Sequence, residues 1–526
     1  MHRAFGLDYS EAAETLALRV APCSALKLIA RGAVYLDAVN RRDFSRSFLA
    51  LWPTLASSQA FENGPAEVND IHSGLNATRV SQIETITSTD QLANALTKAR
   101  QAGKNISIAG GRHAMGGQQF GLDTVLLDTV KMNRVLHFDA GKGLIEVEAG
   151  IEWPALIDYL VKAAEKVPPG WGIRQKQTGA DRLTIGGALS ANAHGRGLRM
   201  RPFVGDVESF ALVDGEGKVH RCSRGENTEL FKLVIGGYGL FGAISSVTLR
   251  LDARRKIERV VEVIRMDELM RMFDKRIAAG FLYGDFQYSV DPNSDDFLRR
   301  GVFSCYRPVD AATPIPEKQK ELSERQWIEL LTLAHSGKQE AFKRYSEYYL
   351  STSGQIYWSD THQLSFYPEG YHKSLDQRLA ARNPGTEMIT EIYVPRAALA
   401  DFMAEARADF RKHDVEVIYG TIRLIERDGE SFLQWARQAY ACVIFNIHVV
   451  HTAQGLQNAA DSFRRLIDMA IRRDGGYYLT YHRWATRKQV EACYPQFAEF
   501  LRAKRQHDPS ERFQSDWYRH YKKMFA

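Results

Sequence analysis

An α+β fold is predicted for this 526-residue chain by two observations. Between residues 80 and 251, short apolar strands alternate with helical text and glycine-dense loops. From 256 to 480, longer alternating runs are separated by long helical stretches, which reads as a sheet with helices on one side. In order, Ser88-Thr-Asp-Gln91 has capping-box spacing and opens a helix to about Ala102. Asn105 to Ala109, Val125 to Asp128 and Leu144 to Ala149 follow as strands, with turn signals at Gly141 and Gly143. Trp153 to Ala164 has helical spacing, and Ala243 to Leu251 alternates as the strand that closes the first unit. Beyond it, strands are expected at 259–264, 389–394, 415–419 and 441–450, and helices at 317–334, 397–412 and 459–473. The domain boundaries that follow are 1–60, 61–79 (linker), 80–253, 254–480 and 481–526.

Composition narrows the class. With 44% hydrophobic and 25% charged residues, the chain can bury two or three cores. A net charge of +6 without a block of like charge gives no case for nucleic acid. No apolar run approaches the roughly 18 residues of a membrane span. Five widely spaced cysteines with no C-x-x-C pair indicate neither a metal site nor a disulfide framework.

At the amino end, Asn40-Arg41-Arg42-Asp43-Phe44-Ser45-Arg46 precedes an apolar stretch, Phe48 to Ala56, and then Ser57-Ser-Gln-Ala60. That order resembles a twin-arginine export signal, which implies a periplasmic or secreted protein starting near Val39. The alternative is an amphipathic helix with a solvated arginine pair, in a cytoplasmic protein.

Three glycine clusters carry the functional argument: Gly110-Gly-Arg-His113 with Ala114, Gly116 and Gly117; Gly186-Gly187 with Asn192-Ala-His194-Gly195; and Gly236 to Gly242. Such loops bring main-chain N–H groups close to a large anion, so a dinucleotide ligand is expected. The first run is not Gly-x-Gly-x-x-Gly opening a helix, and the text before Asp128 leaves no room for one, which excludes a Rossmann site.

From Val80 to Leu251 these residues resemble the FAD-binding domain of the vanillyl-alcohol oxidase and p-cresol methylhydroxylase superfamily, nearest in motif to its alditol and aldonolactone oxidases. The resemblance implies a two-lobed FAD-binding domain of the p-cresol methylhydroxylase type at 80–253 and a substrate domain at 254–480. Residues 481–526 would then return to the FAD domain. It implies FAD held by Gly110, Gly111, Arg112, His113, Ala114, Gly116, Gly117, Gly186, Gly187, Asn192, His194, Gly195 and Ile244. His113 stands at the position of covalent attachment to the flavin, although Ala114 replaces the family's serine. A hydrogen-bonding histidine is the alternative. Asp206, Glu208 and Asn227 would brace the second loop and cap a helix.

The same resemblance places Arg423 of Gly420-Thr-Ile-Arg423 near substrate, with Asn446 or His448 on the neighbouring strand. The family's His-Trp-Gly-Lys reads Tyr481-His482-Arg483-Trp484-Ala-Thr486 here, so the lysine contact does not transfer and His482 is the candidate. Gln355 to Gln363, rich in aromatic and polar residues, suits either a polyol-like ligand or a packing segment. The implied function is oxidation of a CH–OH group of a polyol, sugar or lactone-like small molecule, by hydride transfer to flavin N5. Oxygen, a quinone or a carrier protein would accept the electrons. A catalytically silent flavin-fold binding protein is the remaining alternative.

Overall fold

The computed structural model describes residues 64–526, apart from 167 and 366, and these belong to one compact unit. The export reading of residues 1–60 lies outside the described residues. From residue 64 onward the linker expectation is corrected. Ala66–Val68 (β1) pairs antiparallel with Thr78–Val80 (β2), and Val68 and Val80 are buried. The polar text between them turns on Asp70, whose Oδ1 accepts from the N–H groups of His72 (3.2 Å), Ser73 (2.6 Å) and Gly74 (3.3 Å). These residues are polar because they bond one another, as an Asx turn requires.

Gln82–Thr85 (β3), Ile106–Ala109 (β4) and Val125–Asp128 (β5) form a parallel sheet in the order β3-β5-β4. The helix Thr89–Gln101 covers it with Leu92, Ala95, Leu96 and Ala99. Ser88 caps that helix through Gln91 N–H, as its spacing predicts. Near the chain end, Phe513 bridges in parallel to Ile106, so the tail lies along β4.

Val135–Asp139 (β6) and Leu144–Glu148 (β7) are followed by a two-residue strand, Trp171–Gly172 (β8). Val207–Val213 (β9), Val219–Ser223 (β10) and Ala243–Arg250 (β11) then complete an antiparallel sheet, β10-β9-β11-β7-β6. Asp252–Ala253 (β12) pairs with β8 and leads into a third sheet.

The third sheet is built from Lys256–Arg265 (β13), Tyr283–Tyr288 (β14), Arg300–Pro308 (β15), Ile356–Trp358 (β16), Gly385–Pro395 (β17), Val417–Ile425 (β18), Tyr440–Val450 (β19) and Gly476–Tyr477 (β20). Its order is β16-β13-β15-β14-β18-β19-β17-β20, antiparallel throughout. Side chains alternate across a strand. The registers Phe303↔Phe286, Phe286↔Ile422, Ile422↔Val443 and Val443↔Ile392 therefore collect the apolar residues on one face. That face takes the helices Leu269–Ala278 and Leu399–Lys412, with Phe273 edge-on to Phe303 at 4.9 Å and Phe410 edge-on to Phe445 at 5.1 Å. The opposite face carries Asp285, Gln287, Thr421, Arg423, Asn446, Glu391, His448 and Glu387.

Two expected helices shift. The helix placed at 317–334 starts instead at Glu324, where Ser323 and Gln326 make a capping box, and ends at Ser336. A second helix, Lys338–Ser351, follows directly. The helix placed at 459–473 begins six residues earlier, at Ala453, because Thr452 caps it through Gly455 N–H. The parallel sheet β3-β5-β4 keeps its own core, of Leu92, Leu96, Ile106, Leu127 and Phe513, while the other two sheets share theirs. One apolar cluster runs from Ile145 and Val147 through Phe286 and Phe445 to Trp517.

Candidate functional site

Leaving β4 at Ala109, the chain enters the first glycine loop. Gly111 is required by packing, since a Cβ there would lie 2.3 Å from the Arg182 carbonyl, and Gly117 has a φ of +75°. Arg112 holds φ at 57° and donates from Nη2 to Asp128 Oδ2 at 2.9 Å. Among the described residues, the N–H groups of Gly111 to Ala114 find no protein acceptor. Gly116 N–H is used internally, by Gln118 Oε1 at 3.1 Å, while Gln118 Nε2 donates to the Leu479 and Thr480 carbonyls.

His113 is buried with Nδ1 2.8 Å from His72 Nε2, and its Nε2 has no partner. Burial, with the His72 ring adding to it, pushes the His113 imidazole down to about 3. A row of free N–H groups beside a neutral, unpartnered imidazole nitrogen fits an FAD.

The second loop has a different construction. Thr184 caps the helix Ile185–Ala191, and Gly186 N–H donates to the Ala149 carbonyl at 2.7 Å. Gly187 N–H donates to Thr184 Oγ1 at 3.3 Å. A Cβ on Gly186 would sit 2.8 Å from Ala149 Cβ, so this glycine lets the helix press onto the end of β7. Asn192 ends the helix with φ 48° and is clamped, its Nδ2 donating to Asp428 Oδ2 (2.9 Å) and its Oδ1 accepting from Val204 N–H (3.0 Å). Gly195 packs onto the Lys176 carbonyl, and Ile244 lies buried on β11 opposite Leu212. Asp206 accepts from Gln175 Nε2 and Glu208 pairs with Arg250. Asn227 makes no cap through its side chain; Nδ2 donates to the Arg221 carbonyl instead.

His194 points from this loop at the polar face of the third sheet. Its Nε2 lies 2.8 Å from Glu391 Oε2, and its Nδ1 lies 3.1 Å from the Gly195 carbonyl. Glu391 Oε2 also accepts from Tyr393 (2.9 Å), and its Oε1 accepts from Tyr481 (2.9 Å). Burial alone would raise this carboxyl; the charges of His194 and Arg423, with the hydrogen bonds from His194 and Tyr393, hold it below the usual carboxylate range. Arg423 stands beside it, 6% exposed, with Nε unpartnered. Its charge also acts on Tyr481, Tyr419 and Lys176. Lys176 is itself buried, its Nζ held by Asp181 at 2.8 Å. Arg423 and His194 are therefore brought together as a site. Glu391, Tyr481 and Lys176 are the members that sequence reasoning missed. A carboxylate inside the apolar run Ile389-Thr-Glu-Ile-Tyr-Val was the available signal for Glu391.

His448 and His482 fall elsewhere. Cys442, which faces Arg423 across the ladder, precedes His448 by six residues, about 20 Å at roughly 3.3 Å per residue. His482 stacks on Phe463 at 4.6 Å, lies 5.7 Å from Trp484, and reaches Thr390 on the helix-covered face. Burial pushes it down to about 3, so it is a packed neutral ring. Thr486, at the position of the family's lysine, caps the helix Arg487–Cys493. The 355–363 segment is a brace. Asp360 holds Arg254 at 2.6 Å, Gln363 Oε1 accepts from Lys176 N–H, and His362 lies against Tyr283 and Tyr306.

Comparison with known proteins bears on the FAD-binding region. Residues 81–223 match the family described as the FAD binding domain. The chain is similar to an oxidoreductase of the fasciation locus of Rhodococcoides fascians, 32% identical over 38% of this chain and 44% of that protein. It is also similar to the L-gulono-1,4-lactone dehydrogenase of Mycobacterium tuberculosis, 25% identical over 45% of this chain and 52% of that one. The L-gulonolactone oxidase of Bos taurus is 27% identical over 36% of this chain and 42% of its own length. These likenesses support an FAD-dependent oxidoreductase of the vanillyl-alcohol oxidase and p-cresol methylhydroxylase type, near the aldonolactone oxidases, with FAD as the cofactor of the 81–223 region. The matched region spans about half the length of these relatives. Among the described residues no helix is long and apolar enough to cross a membrane.

Proposed function

We propose that the protein oxidises a CH–OH carbon of a lactone-like, sugar or polyol substrate, with residues 80–253 holding FAD as two lobes and the polar face of the third sheet holding the substrate. The observation that carries this reading is Arg423: a buried guanidinium with an unpartnered Nε, next to a carboxylate braced by His194 from the FAD-binding region. FAD, when bound, supplies the two-electron acceptor. The Arg423 guanidinium favours the oxyanion that develops on the substrate oxygen. Tyr481, kept protonated by burial and bonded to Glu391 Oε1, orients the hydroxyl and leads its proton toward the Glu391–His194 pair. Lys176, buried and paired with Asp181, is committed to holding its own loop.

The lactone relatives carry both names, oxidase and dehydrogenase, and the acceptor proposed here is oxygen, with a quinone or carrier protein as the alternative. The test is Arg423→Ala under anaerobic conditions with a panel of aldonolactones, sugars and polyols. Flavin content and spectrum should be kept while reduction slows by roughly 100-fold, the scale for losing one transition-state donor. Unchanged reduction in a flavin-loaded variant would remove Arg423 from the site.

A further inference from the structure

At the far end of the same polar face, three polar atoms without hydrogen-bond partners converge: Glu387 Oε1 from β17, His448 Nδ1 from β19 and His335 Nε2 from the helix Glu324–Ser336. His335 Nε2 lies 3.1 Å and His448 Nδ1 3.7 Å from Glu387 Oε1, and all three atoms fall within 4.8 Å of one another. The side chains of His335 and Glu387 are more than nine-tenths buried. Two imidazoles and a carboxylate thus point at one spot at ion-pair distance, with no well-aligned hydrogen bond to use these three atoms.

We propose that His335, Glu387 and His448 form a binding site for a divalent transition-metal cation, zinc(II) by ligand type, with an open fourth position. The magnitudes fit. Metal–ligand bonds of about 2.0–2.1 Å in tetrahedral geometry put neighbouring ligand atoms about 3.4 Å apart, between the two observed separations. The surroundings are arranged as metal ligands require. Glu387 Oε2 is occupied by the Tyr371 hydroxyl and lies 3.2 Å from His372 Nδ1, which leaves Oε1 turned toward the two rings. His335 Nδ1 faces Glu416 at 3.9 Å, the carboxylate-behind-histidine arrangement that sets the ligating tautomer. His448 has space only because residue 385 is glycine, since a Cβ there would lie 2.4 Å from its ring.

The ion joins a helix to two strands. Through Thr386, which donates to the Ser73 carbonyl at 2.7 Å, it also neighbours the turn that carries His72. No sequence motif announces the site because its ligands lie 52 and 61 residues apart along the chain, at 335, 387 and 448. The proposal stands independently of the oxidation chemistry.

The test uses full-length, tag-free protein with its flavin, stripped with a chelator and titrated with zinc chloride against a chromophoric competitor. About one tightly bound equivalent per chain is expected, with the flavin spectrum unchanged. Glu387→Gln and, separately, His448→Gln should each weaken zinc binding by at least roughly 10–100-fold while keeping flavin. Wild-type protein that takes up no zinc beyond a variant's level overturns the proposal. Should both variants fail to fold, cobalt(II) on the wild-type protein decides. Intense four- or five-coordinate visible bands support the site, and the weak spectrum of six-coordinate cobalt overturns it.

Discussion

The His72–His113 contact has room for one proton between two nitrogens, and that sets the chemistry of His113. Burial pushes His72 down to about 4 and His113 to about 3, so both rings are neutral near pH 7. When His113 donates through Nδ1 to His72 Nε2, its lone pair lies on the unpartnered Nε2. A free ring nitrogen of this kind is what the proposed bond to a flavin methyl carbon would need, a link that would raise the flavin's potential for accepting hydride. Acid precipitation of the wild-type protein should leave a yellow pellet, and His113→Ala should release its flavin to the supernatant. A colourless wild-type pellet would leave His113 as a noncovalent contact only.

Among the elements, the tail segment shows how distant sequence fixes the cofactor loop. Lys504 is fully buried and its ammonium is pushed down by burial, offset by Asp508, which also accepts from the N–H groups of Arg512 (3.0 Å) and Phe513 (2.9 Å). Ile106 N–H then donates to the Arg512 carbonyl and its carbonyl accepts from Gln514, so the tail extends the sheet that leads into residues 110–117. Asp508→Ala strands a buried ammonium, at a cost of about 3–5 kcal/mol. The denaturation midpoint should fall and flavin should dissociate faster; an unaltered midpoint would show that the pair does not hold the tail. Elements with clean periodicity, such as β11, β19 and the capped helix Thr89–Gln101, were legible in sequence because burial on one face writes the pattern. The helix Lys338–Ser351 was not, since its tyrosines and charges mark no single apolar stripe.

Across the whole molecule, the glycine loops could be read because close main-chain approach demands glycine locally. The centre around Glu391 could not, because two of its donors come from residues 194 and 481, in loops far from 391 along the chain. Folding also buries neutral histidines, and that has a consequence for stability. His72 and His482 take protons near 6.5 when unfolded but only near 4 and 3 in the fold, where burial is the main cause. The folded values are depressed below the unfolded one, so the unfolded chain binds more protons as pH falls below 6.5, and stability is full above that pH and declines beneath it. At pH 5 each ring costs about 2 kcal/mol. His482→Phe keeps an aromatic ring stacked with Phe463 and Tyr477 and removes one of these protons. Its denaturation midpoint should therefore depend less on pH between 6.5 and 5 than that of the wild type, with anaerobic flavin reduction unchanged. Slower reduction with an unchanged pH slope would instead return His482 to the substrate site, against its position on the helix-covered face of the sheet.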